Sequence, residues 1–414
     1  MLLNRHIVVG ICGGIAAYKA VDLVSKLQQA GAIVDVILTE HAEEFVRPLT
    51  FSTLSHRPVF SNLWEPSGEA AEIHIALAEE ADLLAIVPAT ANTIAKLAHG
   101  MADNMLTAVA LATRAPLLLA PAMYKEMYTH AATQTNLALL QERGAIVVEP
   151  EIGRLASGAI GPGRLPETAT LLAAITTTLG RKGDLAGRRV LVTAGGTHEP
   201  IDPVRFLGNR SSGKMGYALA IEARNRGASV ILVSGPVALP PPYGVEMQQV
   251  ETAIQMRNAV HRFITDVDVL VMSAAVADFR PDEVATQKIK KHSDEVQTHD
   301  GKLSLHLVPN PDILGELADT RNGSLEDSGR RLIRVGFAAE TQQVVDYAQS
   351  KLHSKGLDLL VANDVSRSDS GFGTETNKVL LFHSNGTMED LPVMPKTGVA
   401  EVIWDRVVSL LHAT

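Results

Sequence analysis

Cysteine, excess positive charge and long apolar runs are what this sequence has little of. Cys12 is the single cysteine in 414 residues, which excludes an internal disulfide framework and fits a reducing, cytoplasmic setting. With 37 Lys and Arg against 46 Asp and Glu, the formal net charge is −9, so there is no electrostatic case for nucleic acid as a partner. No apolar stretch reaches the length that spans a bilayer, so no membrane association is expected. Arg5 followed by IVVGICGGIAA looks superficially like a cleavable leader. Its glycines, and the helical spacing of Ala17, Val21, Val24 and Leu27 that follows, are better explained by strand, turn and amphipathic helix.

The chain is long enough for two or three domains with ample core. In the first half, HIVVGI, AIVDVILT, DLLAIVPAT, APLLLAPAM and GAIVVEP alternate with helical patterns. Runs apolar at consecutive positions suit strands buried on both faces, hence a parallel sheet between helices. After the charged, glycine-bearing RKGDLAGRR the alternation restarts with RRVLVTAGG, ASVILVSGP, DVDVLVMSAAVAD, RLIRVGFAAE and LDLLVANDV. The expectation is two doubly wound α/β domains divided near Lys182, over 1–182 and 183–414: an N-terminal flavodoxin-like flavin domain and a C-terminal Rossmann-like domain.

Ligands of such sheets bind beyond the carboxyl ends of the strands. In the first half those ends carry Gly13 and Gly14, Thr39, Ala89, Thr90 and Asn92, then Asp103 and Thr107. Glycine after a first strand also serves a plain tight turn. As a set, the short polar groups suit a phosphate and a flat heteroaromatic ring, which points to a mononucleotide cofactor.

The first half resembles the decarboxylase part of a bifunctional bacterial enzyme of coenzyme A biosynthesis, phosphopantothenoylcysteine decarboxylase fused to phosphopantothenate:cysteine ligase. GGIAAYKA, AEIHIALAEEADLLAIVPATANTIAKLAHGMADNMLT, PAM followed by MY, and GAIGPGR carry the resemblance. It implies FMN bound between subunits. Oxidation of the substrate thiol by the flavin would create an electron sink beside the departing carboxylate. His74 matches the family's active-site histidine; a histidine in an Ala/Ile/Leu helix is also often a packed residue. Two positions depart from the family. Tyr124 in PAMYKEMY replaces an asparagine that holds the substrate carboxylate, and Ser157 in GRLASGAIGPGR replaces a proton-donating cysteine. A hydroxyl is a far weaker acid than a thiol, and tyrosine crowds a pocket shaped for asparagine. These changes open two alternatives: a flavin domain that serves as an oligomeric scaffold, or a regulatory flavoprotein.

The second half opens on VLVTAGGTHEPIDPVRFLGNRSSGKMG, a buried strand running into glycines and a second glycine-rich turn. An NAD site is disfavoured, because no G-x-G-x-x-G appears and the helix is expected only after SSGKMG. Ser211, Ser212 and Gly213, at that helix start, form a natural cradle for a phosphate. TAGGTHEPIDPVRF, SSGKMG, SAAVADFRP, KIKK, NPDIL, GFAAET and the pair Lys351 and Lys355 stand in the order of the family's ligase part. The resemblance implies that CTP activates the carboxylate of 4′-phosphopantothenate as an acyl-cytidylate, with Mg²⁺, and that the amine of L-cysteine then displaces CMP. On the same resemblance Lys288 is the essential lysine, although KIKKHSDE also reads as a solvated charged loop. Its stretch, Pro281 to Gly301, suits a flap over the nucleotide.

Asn209 matches the asparagine of the second half-reaction, with a plain turn residue as the bland alternative. Asp278, expected at the end of the strand DVLVMSAAVAD, matches a CTP-binding aspartate. Phe337 offers a face to the cytosine region. The implied substrate-binding set is completed by Met272, Ser273 and Ala274, by Pro311, Asp312, Ile313 and Leu314, and by Lys351 and Lys355. The family places its sites at subunit contacts, so a homo-oligomer is expected.

Overall fold

The computed structural model describes residues 2–64, 72–290, 298–299, 302–319, 331–340, 344–364, 371 and 373–413. The chain divides into two compact units, Met1–Gly180 and Arg181–Thr414.

The first unit is built on a parallel sheet whose strands are β1 (His6–Ile11), β2 (Ile33–Leu38), β3 (Val59–Phe60), β4 (Leu83–Ala89), β5 (Leu117–Pro121) and β6 (Ile146–Val147). Their order is β3-β2-β1-β4-β5-β6. Setting aside the two-residue edge β3, this is the flavodoxin arrangement, with its switch point between β1 and β4. Every residue of β4 is buried, as its unbroken apolar run requires of a strand covered on both faces. The helices that matter here are α1 (Ala17–Gln29), α2 (Ile73–Glu80), α3 (Ala91–His99) and α4 (Met105–Ala112). On α1, Ala17, Ala20, Leu23, Val24 and Leu27 form the buried stripe that the sequence spacing announces. Beyond the sheet, β7 (Glu151–Arg154) and β8 (Ile160–Arg164) pair as an antiparallel hairpin.

The second unit carries an eight-stranded sheet. Its strands are β9 (Arg189–Ala194), β10 (Ser229–Ser234), β11 (Glu246–Gln249), β12 (Val269–Met272), β13 (Ile333–Glu340), β14 (Leu359–Asp364), β15 (Val379–His383) and β16 (Met388–Asp390). The order is β11-β10-β9-β12-β13-β14-β15-β16, and only the last two strands run antiparallel to their neighbours. The first six therefore follow the 3-2-1-4-5-6 order of a dinucleotide-binding fold. Helices α5 (Lys214–Asn225), α6 (Ala253–Phe263), α7 (Ile313–Asp319), α8 (Val344–Ser354) and α9 (Lys396–His412) connect or flank it. Trp404 on α9 is fully buried, and its indole N–H donates to the Leu219 carbonyl of α5 at 2.9 Å, so one side chain pins two helices. Truncating such a residue costs about 3–5 kcal/mol.

Two local expectations are corrected. The strand expected to reach Asp278 ends at Met272, because the Ala274 and Ala277 amides are captured by the Thr193 and Thr197 hydroxyls at 3.1 and 2.9 Å rather than by a neighbouring strand. Helix α5 starts at Lys214, inside SSGKMG rather than after it: Gly213, with φ of +77°, makes the left-handed entry that a side chain would resist. Of the expected flap, residues 291–297, 300 and 301 lie outside the described residues.

Candidate active sites

In the first unit the expected cofactor residues gather at the carboxyl edge of the sheet, on both sides of the switch point. The Cys12 amide donates to the Pro88 carbonyl at 3.2 Å, and its thiol to the Thr93 hydroxyl at 3.2 Å, which joins the ends of β1 and β4. Burial pushes the Cys12 thiol up, so it stays protonated and serves packing rather than chemistry. The Thr39 amide donates to the Ile11 carbonyl and brings the end of β2 to the same edge. A Cβ added to Gly14 would meet nothing within 4 Å, and Ala16, the N-cap of α1, offers no side-chain bond to the first turn. The Ala17 and Lys19 amides donate to the Gly14 and Ala16 carbonyls, so what this edge offers a phosphate-bearing cofactor is the open space beside Gly14 at a helix start.

The polar members of the set have structural work as well. Thr90 caps α3 by accepting from the Thr93 amide, and Asn104 and Thr107 form a reciprocal capping box on α4. Asp103 pairs with Lys96 at 2.7 Å. The Lys96 hydrogen bond keeps its carboxyl below the usual range. Ala89 ends β4 and is buried; Asn92 is exposed near the start of α3. His74 is the second residue of α2 and is half-buried.

The two departures meet in one neighbourhood. The Met123 amide donates to the Gly163 carbonyl of β8 at 3.0 Å, so the loop carrying Tyr124 docks on the hairpin whose turn carries Ser157. Tyr124 is 42% exposed as N-cap of the short helix Lys125–Thr129, and Ser157 is exposed. Neither side chain is held by the core; Tyr124 hydrogen-bonds the Glu126 carboxylate.

In the second unit the site is a cavity of about 630 Å³. Its lining comes from Asn209 with Ser211 to Met215, Met272 to Asp278, Asn310 to Leu314, Phe337 and Ala338, Lys351 and Lys355, and the separate residues Asn363, Gly371, Asn377 and Lys396. All the expected substrate-binding residues stand there, together with Asn209. Lys288 does not: it is exposed on the 281–290 segment and is absent from the lining. Its neighbour Ile289 is tied down, donating to Asp202 at 3.1 Å and accepting from Arg205 at 2.7 Å.

Each wall has a visible support. The Asn209 carboxamide donates to the Ala275 and Val276 carbonyls at 3.0 and 3.3 Å. The Asn310 carboxamide donates to the Ala277 carbonyl at 2.8 Å, and its amide donates to the Asp278 carbonyl at the same distance. Asp202 is buried and accepts from the Arg205 guanidinium and three backbone amides, which together hold its carboxyl far below the usual range. Glu199, also buried, accepts from the Ala253 amide at 2.9 Å. The acidic residues of THEPID are thus scaffolding for the site rather than ligands to it.

Cations line two parts of the cavity. The Lys351 ammonium donates to the Phe337 carbonyl at 3.0 Å, while Lys355 is paired with Asp312. Burial raises the Asp312 carboxyl, and the Lys355 ammonium, the Gly315 amide and Lys351 together more than offset it, leaving it below the ordinary value. Lys214 pairs with Glu375 at 2.5 Å. Lys396, 7% exposed, donates to the Gly371 carbonyl at 3.1 Å and to the Thr374 carbonyl. Burial first, and then Lys214, lowers the Lys396 ammonium. Sequence reasoning missed Lys214, Asn310, Asn377 and Lys396. Lys214 was legible inside SSGKMG; the others stand in no phosphate-binding pattern.

Among the described residues no group of three or more His, Cys, Asp or Glu could hold a metal ion, and no helix is long and apolar enough to cross a membrane. The family described as DNA/pantothenate metabolism flavoprotein C-terminal domain matches residues 185–411, and the family described as Flavoprotein matches residues 1–180. The chain is 45% identical over 417 residues to the coenzyme A biosynthesis bifunctional protein CoaBC of Bacillus subtilis, covering 100% of this chain and 99% of that one. The protein of that name from Vibrio cholerae is 45% identical over 402 residues, covering 97% of each chain. The one from Mycobacterium bovis is 46% identical over 419 residues, covering 99% of this chain and 97% of that one. With both halves covered end to end, the chain belongs to the family of bifunctional coenzyme A biosynthesis proteins, a flavoprotein unit followed by a ligase unit.

Proposed function

We propose that the second unit is a CTP-dependent ligase that joins 4′-phosphopantothenate to L-cysteine. The observation that carries this is the convergence of segments spread from Asn209 to Lys396 on one cavity holding the Asn209 carboxamide, a helix start and four lysines. A carboxylate oxygen of the acid attacks the α-phosphorus of CTP, and pyrophosphate leaves. The cysteine amine then attacks the acyl carbon, CMP leaves, and an amide bond remains.

The chain's own groups divide this work. Ser211, Ser212 and Gly213 present the amides at the start of α5 to a phosphate. Lys351 and Lys355 take the charge that develops as pyrophosphate departs; the resemblance assigns Lys288 the same work, although it stands outside the cavity lining. Asn209 spends its donors on the Ala275 and Val276 carbonyls, which leaves its own oxygen to accept from the incoming amine. Phe337 offers its face to the base. Asp278, in the cavity lining, is the carboxylate that would help hold a nucleotide-bound Mg²⁺, which would neutralise phosphate oxygens.

The first unit holds FMN at the switch-point edge, where Gly14 faces open space. When bound, FMN would take two electrons from the product thiol before carbon dioxide leaves and return them as hydride afterwards, so that 4′-phosphopantetheine forms with no net oxidation. His74 is the base for that step. Tyr124 and Ser157 slow it, because neither supplies the short amide or the acidic thiol that the reaction uses. The exposed Phe206, Leu207, Phe279 and Leu307, on two antiparallel ribbons of the second unit, suit contact with a second copy, and the assembly is a homo-oligomer.

Pyrophosphate release from CTP, measured on adding 4′-phosphopantothenate and L-cysteine, tests the ligase. Release that requires the acid supports it; well-folded protein that releases none removes it.

A further inference from the structure

A second cavity, of about 490 Å³, lies in the ligase unit beyond the carboxyl ends of β10 and β11. It shares no lining residue with the catalytic cavity. The wall between them is backbone: a Cβ on Gly235 would lie 2.1 Å from the Gly196 carbonyl oxygen, and one on Gly213 would lie 2.8 Å from Cγ1 of Val237. The strand order makes the location informative. In a 3-2-1-4-5-6 sheet, the ends of the second and third strands are where the nucleoside half of a dinucleotide lies, with a carboxylate near its ribose. Here the tight phosphate turn of that motif is replaced by the long excursion from Gly195 to Gly213. The nucleoside end of the crevice is left as a separate chamber.

The lining has matching chemistry. Val237, Leu239, Pro241 and Met247 give apolar walls suited to a flat ring. Tyr217 lines the chamber, and the residue as a whole is only 6% exposed. A phenol in that position offers a ring face to a flat ligand and a hydroxyl that can donate or accept. The Glu251 carboxylate and the Gln249 carboxamide stand at the end of β11, where they can accept from hydroxyls. No Lys, Arg or His lines the chamber, so no cationic side chain there favours a phosphate over an uncharged group.

We propose that this chamber is a nucleoside-binding site distinct from the catalytic cavity, taking an uncharged purine ring against the apolar walls and Tyr217, with ribose hydroxyls at Glu251. Val237 also backs the Gly213 turn, so an occupant touches the support of the phosphate cradle.

The test is calorimetric titration of the full-length protein with adenosine in the presence of saturating CTP, which blocks the catalytic cavity. The expected result is saturable binding with a dissociation constant of about 1 mM or tighter. It should weaken about three- to tenfold in Tyr217→Phe, which removes only the hydroxyl, and vanish in Met247→Trp, which fills the chamber. Lys355→Ala should leave it unchanged. The proposal is overturned by absence of binding, by displacement with CTP, or by binding that Tyr217→Phe does not weaken.

Discussion

Asn209 and Ala275 are joined by a hydrogen bond of 3.0 Å from carboxamide to backbone carbonyl, so the turn before α5 and the loop after β12 are fixed to each other across the catalytic cavity. Asn209→Ala removes both that tie and the oxygen left for the incoming amine. Steady-state ligation should then lose about 10²- to 10³-fold in kcat, with thermal stability little changed. A loss confined to KM would show that Asn209 only binds.

Lys355 and Asp312 form an ion pair in the cavity, and the same Asp312 carboxylate caps α7 through the Gly315 amide at 2.9 Å. Nucleotide phosphates should take Lys355 from Asp312. Lys355→Ala is expected to raise KM for CTP about ten- to a hundredfold. Asp312→Asn keeps the cap, since asparagine caps as well as aspartate, and frees the lysine. It should lower KM for CTP a few-fold; an unchanged KM means the pair does not compete with nucleotide.

The flavin unit should purify yellow and convert phosphopantothenoylcysteine to phosphopantetheine only slowly. Tyr124→Asn together with Ser157→Cys should restore carbon dioxide release, measured at equal flavin content. Brisk release from the unaltered protein would mean that both departures are tolerated.

Glu389 joins β16 to α9 through a paired contact with Arg406, and also meets His383 at 2.7 Å. The Arg406 hydrogen bond, against an opposing effect of burial and with help from His383, lowers its carboxyl from 4.5 to about 2. A carboxyl lowered on folding contributes fully above its unfolded value and loses that contribution as pH falls toward the folded one. Glu389→Gln should therefore cost about 1 kcal/mol at neutral pH, a partly exposed pair being screened by solvent. The gap between variant and parent in thermal melts should close between pH 4.5 and 2.

The central strands of both sheets were legible because they are unbroken apolar runs, and HIVVGI and LLAIVPA needed no tertiary knowledge; the edge strands EMQQ and MED, half-exposed and polar, carry no such signal. The cavity stretches were legible as ordered motifs. Asp278 was misplaced because an apolar run does not reveal that two threonine hydroxyls will take its amides. Lys396 and Asn377 escaped because nothing local marks them; only the return of α9 beside Gly371 brings them to the cavity. Thr90 and Thr107 read as ligand groups, and the capping bonds they make to α3 and α4 are set by helix starts that spacing locates only to within a few residues.

The most direct measurement is the product made from CTP, 4′-phosphopantothenate and L-cysteine by the full-length protein, resolved by mass and followed with pyrophosphate release. The account predicts pyrophosphate matched by accumulating phosphopantothenoylcysteine, with little phosphopantetheine. Phosphopantetheine as the main product, or no pyrophosphate at all, would contradict it.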